Sequence, residues 1–166
     1  GASLSNFSAW IYKQGAIQKL EYHWDLKYLS TLYNANALAF SIMGARELDQ
    51  HSVPGKLMGF ASYGKYSEEL ENWLSKNNYF QDIWKKKSHF FEKAKKDWNV
   101  DIKSFDQHNS FLQNIAATFQ FICQRDFVKK MEELQKNESS DYLYLTGGSA
   151  LNILANTEII NRNIFK

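Results

Sequence analysis

The sequence predicts a mixed α/β or α+β domain, on three observations. Strand-forming residues alternate around a turn between Phe7 and Tyr22. One long apolar stripe at helical spacing runs from Phe111 to Leu134. A short apolar run, Tyr142-Leu143-Tyr144-Leu145, leads through two glycines into a helical segment. The first needs period two, the second period 3.6, and the third a change from one to the other. A chain of 166 residues with 16% aromatic content has enough apolar material for a core, which excludes a disordered or collagenous chain.

Each element follows in order. Phe7-Ser8-Ala9-Trp10-Ile11-Tyr12 is rich in strand formers, Lys13-Gln14-Gly15 supplies a turn, and Ile17 to Tyr22 alternates, so a hairpin with one buried face is expected. From Tyr28 to Met43, residues Leu29, Leu32, Tyr33, Leu38, Ala39 and Ile42 predict a helix that Gly44 stops. Pro54, the only proline, opens a short helix through Lys56-Leu57-Met58-Gly59-Phe60-Ala61, because a first turn has no use for its missing N–H. Gly64 can end it, and Glu68 to Leu74 reads as another helical segment. Residues 79–105 show the poorest periodicity and read as an excursion from the core. Asp106 is the expected N-cap of the long helix, with Asp126 and Lys130 as an i,i+4 pair on its polar side. After Asn137-Glu138-Ser139-Ser140, a buried strand over 142–145 and a helix to about Asn156 complete the chain.

The net charge of +2 does not argue for a nucleic-acid or membrane partner. Charge is uneven, however. Seven lysines stand between Lys85 and Lys103 against Glu92, Asp97 and Asp101, interleaved with Trp84, Phe90, Phe91 and Trp98. That mix suits either single-stranded nucleic acid, with rings stacking on bases, or a solvated helix face with its aromatics turned inward. Cys123 has no second cysteine to pair with, so a disulfide scaffold is excluded, and its place beside the stripe suits a small buried residue. No run of eighteen apolar residues and no basic-then-apolar leader occurs, so a soluble cytoplasmic protein is expected. His23, His51, His89 and His108 show neither H-x-x-x-H nor H-x-H spacing, so no metal site is expected within the chain. A Ser-His-Asp hydrolase lacks its G-x-S-x-G elbow.

Two segments could carry chemistry. Thr146-Gly147-Gly148-Ser149 stands where a strand hands over to a helix, so a ligand can approach the backbone closely. Pro54-Gly55-Lys56-Leu57-Met58-Gly59 places a lysine between glycines at a helix start, without the Walker A spacing. Taken alone, the first is more often a tight turn with close packing and the second a helix-start turn.

In order, Ser30-Thr31-Leu32-Tyr33, Pro54 through Gly64, Ile115-Ala116-Ala117-Thr118-Phe119-Gln120 and Leu145-Thr146-Gly147-Gly148-Ser149-Ala150-Leu151-Asn152 resemble the O-carbamoyltransferase family. That family includes the nodulation, cephamycin and tobramycin carbamoyltransferases. The resemblance spans roughly residues 1–166, and its two glycine elements lie about 90 residues apart. Thr31 stands where the family usually has Gly, Phe60 where it has Leu, and Ser149 where Val is common.

The resemblance implies part of a ribonuclease-H-like domain of the actin-like ATPase superfamily, over 1–166, with a variable insertion at about 79–105. It implies an enzyme that forms carbamoyl-adenylate from carbamoyl phosphate and ATP, then passes the carbamoyl group to a hydroxyl of a small molecule. Carried over by position, Gly147, Gly148, Ser149 and Asn152 would bind the nucleotide, with Lys56 and Gly59 near the same cleft. No catalytic residue falls in this stretch. A metal-binding H-x-x-x-H holding a divalent metal or iron and a first phosphate loop would precede Gly1. A YrdC-like domain, a partner within the same chain, would follow Lys166. The opening Gly1-Ala2-Ser3, without methionine, suits such a fragment, which alone would be inactive. A tRNA threonylcarbamoyl-type enzyme and a non-catalytic module using the aromatics of 79–98 are the alternatives.

Overall fold

The computed structural model describes residues 7–24, 29, 38–39, 41–44, 52–82 and 86–166. The chain forms two compact units. One comprises residues 31–123, and the other comprises 1–30 with 124–166.

In the first unit, Leu38, Ala39 and Ser41 to Met43 are helical, and Gly44 follows at φ +61°, the left-handed stop its glycine allows. The remainder of the helix expected from Tyr28 lies outside the described residues. Helix α1 (Val53–Ala61) carries Pro54 in its first turn and buries Val53, Leu57, Phe60 and Ala61. Helix α2 (Glu68–Lys76) is capped by the Ser67 hydroxyl, which accepts from the Leu70 N–H at 3.2 Å, with Glu68, Glu69 and Glu71 complementing the first-turn dipole. A short helical turn, α3 (Tyr79–Asp82), precedes α4 (Lys87–Trp98).

Helix α4 corrects the expectation of an irregular excursion. Phe90, Ala94 and Trp98 recur every four residues, and Phe90 and Ala94 are fully buried. Asn99 ends the helix in the left-handed conformation at φ +56°. The lysines of α4 form the solvated face and its rings turn inward. Trp98 packs 5.7 Å from Phe111 and 6.2 Å from Trp73. Phe90 and Trp98 are therefore core residues rather than exposed rings between the lysines. Trp84 lies outside the described residues.

Trp73 is the hub of this core. Its ring meets Tyr79, Phe90, Trp98 and Phe111, and its Nε1 donates to Asp97 at 2.9 Å. Leu57, Leu70, Leu74, Leu112, Ile115 and Phe119 pack into the same cluster. Each such side chain contributes about 1.5–3 kcal/mol on full burial. Tyr79 is 1% exposed, and burial, with Asp97 adding to it, pushes its phenol up to about 12.

Helix α5 (Ser110–Asn137) begins in this unit and continues into the other. Its cap is Asn109 rather than Asp106. The Asn109 side-chain oxygen accepts from the Phe111 and Leu112 N–H groups at 3.0 and 3.2 Å, whereas Asp106 closes a local turn onto the His108 N–H. Cys123 is 2% exposed, as a small core residue should be.

In the second unit, β1 (Phe7–Lys13) and β2 (Ala16–His23) pair antiparallel, with an irregularity between Ala9 and Trp10. Gln14 and Gly15 turn at φ +52° and +81°, the double left-handed pair that matches strand twist. Ile11 is buried, while Trp10, Tyr12 and Ile17 stay exposed. Lys130 of α5 is 6% exposed, and its partners reach beyond the i,i+4 pair expected with Asp126. Its ammonium donates to Glu21 of β2 at 2.7 Å and to Glu133 at 3.1 Å, and it lies 5.9 Å above the Phe7 ring. Asp126 meets Arg125.

The strand expected at 142–145 does not form. Among the described residues the hairpin is the only sheet, and Tyr142 and Tyr144 are 69% and 89% exposed. Alternation survives there, because Leu143 and Leu145 are half-buried, but no neighbouring strand among the described residues takes up the backbone. A 3-10 turn (Gly148–Leu151) and helix α6 (Ile153–Asn161) follow, so the helix runs past Asn156. Arg162 ties the end of α6 to Glu158 and to Glu132 of α5. No helix among the described residues is long and apolar enough to cross a membrane.

Candidate functional site

The two glycine segments fall in different units, Lys56 and Gly59 in one and Gly147 to Asn152 in the other. Each is built locally.

On α1, the inward face is apolar, and Gly55, Lys56 and Gly59 all face solvent. A Cβ at Gly55 or Gly59 would meet nothing within 4 Å among the described residues. Each glycine costs the helix about 1 kcal/mol relative to Ala, and no close packing by the described residues offsets it. The Lys56 ammonium has no carboxylate within ion-pair distance among the described residues. A helix surface without side chains beside an unpaired lysine admits a flat or anionic group close to the backbone. Gly64, at the end of the same motif, differs. A Cβ there would stand 2.1 Å from the Gln113 carbonyl oxygen, so it seats the connecting loop on α5.

In the other unit, Gly147 adopts φ +90° with ψ 178°, a conformation that L side chains rarely adopt. It turns the exposed chain into the 3-10 turn. Gly147, Gly148 and Ser149 are all exposed, and a Cβ at either glycine meets nothing within 4 Å. The first N–H groups of a helical turn have no acceptor within it. The loop therefore offers backbone donors and an open face to a ligand. The Asn152 side-chain oxygen caps α6, accepting from the Ala155 N–H at 3.1 Å, so this residue positions the loop against the helix.

Asn156 was missed by sequence reasoning. Its amide nitrogen donates to the Ala150 carbonyl at 2.8 Å, locking the 3-10 turn, while its side-chain oxygen is buried with no hydrogen-bond partner. The signal was present in the spacing. Asn152 and Asn156 stand four apart on one helix face, directly after the glycines. A buried acceptor without a partner among the described residues costs stability, as does the indole nitrogen of Trp98 in the core of the first unit.

Among the described residues, no group of three or more His, Cys, Asp or Glu side chains lies together to hold a metal ion.

Residues 3–166 match the family model described as "Carbamoyltransferase N-terminus". No curated protein and no solved structure matches the chain. The match covers nearly the whole sequence, and the chain belongs to that carbamoyltransferase family.

Proposed function

From this family membership, we propose that the chain forms the nucleotide-holding part of an enzyme that makes carbamoyl-adenylate from carbamoyl phosphate and ATP. The carbamoyl group then passes to a hydroxyl of a small molecule. The underlying fold in this reading is ribonuclease-H-like, of the actin-like ATPase superfamily.

The observation that carries the proposal is the open loop at Gly147 and Gly148, exposed, free of side-chain cover and braced by Asn152 and Asn156. In this reading the adenosine lies against the two glycines, with the Ser149 hydroxyl and the loop N–H groups donating to its oxygens. Asn152 braces the loop and, in this reading, is one of its nucleotide-binding positions. Lys56 offsets phosphate charge, and Gly59 keeps the helix surface beside it clear. ATP supplies the activation that turns a carbamoyl group into an electrophile. The residues here bind and orient, and the transfer chemistry belongs to groups beyond them.

The test is a calorimetric titration of the complete protein with ATP, wild type against Gly148→Val. The added side chain meets no protein atom within 4 Å of its Cβ, so a folding defect is not expected. Affinity should fall tenfold or more with an unchanged unfolding midpoint. Equal affinities would remove the nucleotide assignment.

A further inference from the structure

The segment between Lys86 and Phe105 lies outside the family motifs, yet it builds the wall of a cavity of about 170 Å³ in the first unit. Helix α4 contributes Lys87 and Phe91. The chain after it contributes Ile102, Lys103, Ser104 and Phe105, and the helical residues before Gly44 contribute Ser41 and Ile42. The space is roughly ten times what one water molecule requires, so it accepts a small organic molecule.

The chemistry of the lining is specific. Two of the three acidic residues in this stretch are already engaged: Asp97 pairs with Lys93 at 2.9 Å and Asp101 with Lys95 at 3.5 Å. Lys87 and Lys103, the two cations at the cavity, have no carboxylate within ion-pair distance among the described residues. Phe91 and Phe105 supply aromatic surface. Phe105 is held edge-on by Phe60 of α1, with ring centroids 5.2 Å apart, so it is a fixed wall rather than a loose side chain. Ser41 is 5% exposed and brings a hydroxyl to an otherwise apolar floor beside Ile42 and Ile102.

We propose that this cavity binds a small ring-bearing oxyanion, with its phosphate or carboxylate between Lys87 and Lys103 and its ring against Phe91 and Phe105. Lysine ammoniums act as point charges for such anions, and the ring faces provide the apolar contact a free phosphate cannot use. The site lies in the first unit, whereas the Gly147–Gly148 loop lies in the other.

Phenyl phosphate is the probe, with inorganic phosphate and phenol as controls, titrated into the complete protein by calorimetry. Methyl resonances of Ile42 and Ile102 report the location. Saturable one-to-one binding is expected, at least tenfold tighter for phenyl phosphate than for either control, with both methyl signals shifted. The exposed pair Lys87→Gln/Lys103→Gln should lose tenfold or more without a change in unfolding midpoint. Gly148→Val should bind the probe as wild type does, which separates this site from the nucleotide loop. Equal affinity for phosphate and phenyl phosphate, unshifted Ile42 and Ile102, or full binding by the lysine variant would each overturn the proposal.

Discussion

Gly64→Ala should be the most damaging single-methyl change in the glycine-rich motif, and its cost follows from distances. The new Cβ would lie 2.1 Å from the Gln113 carbonyl oxygen, 2.3 Å from its carbon and 2.8 Å from the Asn114 nitrogen, where ordinary contact begins at 3.4 Å. The obstruction is helix backbone, which cannot swing aside as a side chain could. The loop must therefore withdraw by more than an ångström. Withdrawal strains the hydrogen bonds from the Lys65 N–H to the Asn114 side chain (2.9 Å) and from the Ser67 N–H to the Thr118 hydroxyl (3.1 Å). Overpacking costs about 1–3 kcal/mol and each lost bond about 1 kcal/mol, so about 3 kcal/mol is expected. Urea unfolding followed by circular dichroism measures it, with Gly59→Ala as the internal comparison. Gly59 sits in open space within a helix, so alanine there should raise stability by up to about 1 kcal/mol. A Gly64→Ala protein within 0.5 kcal/mol of wild type, or a destabilised Gly59→Ala, would refute this account of the two glycines.

Three further outcomes are expected. The Tyr79 phenol is raised from 10.0 to about 12 by burial and then by Asp97, so its contribution to stability is fully present below pH 10 and lost as pH rises towards 12. Urea midpoints measured across that window should fall for wild type and fall less for Tyr79→Phe; parallel slopes would rule the mechanism out. Glu21→Gln should cost about 1–3 kcal/mol by removing the 2.7 Å carboxylate partner of the buried Lys130 ammonium, whereas Lys130→Met removes the charge itself and should cost less. Chemical denaturation of both variants decides the order, and the reverse order would contradict it. Asn156→Ala should cost about 1 kcal/mol through the lost Ala150 tether and weaken ATP binding in the same titration used for Gly148→Val. Loss of stability with wild-type affinity would assign Asn156 to the fold alone.

Where local signals agreed, the fold was legible in the sequence. Gln14-Gly15, Pro54 and the stripe from Phe111 to Leu134 each combine a period with a stop or start residue, and hairpin, helix start and long helix all formed. The failures share a cause. Helix α4 was overlooked because its lysines hide an apolar spacing of four, and only the partners Trp73 and Phe111 make Phe90 and Trp98 readable as one face. Residues 142–145 have strand composition, but a strand exists through its neighbours, and composition cannot supply one. Lys130 is the same problem in electrostatics. Asp126 is close in sequence, yet Glu21, 109 residues away, holds the ammonium in its buried position.

The candidate site was legible at the level of residue type and opaque at the level of purpose. A glycine in a sequence means that something comes close or that the backbone turns, and it does not say which. Geometry separates the cases here: Gly64 yields to α5, Gly147 to a left-handed turn, and Gly55, Gly59 and Gly148 to nothing among the described residues. Those last three are the informative ones. A helix that keeps two glycines in open space sacrifices about 2 kcal/mol of propensity that alanine would restore. Helix stability alone gives no reason for glycine at these positions, and the proposed nucleotide role supplies one. That is why Gly59→Ala is the sharpest test of function in the first unit: it should make the protein more stable and a poorer binder of ATP at once.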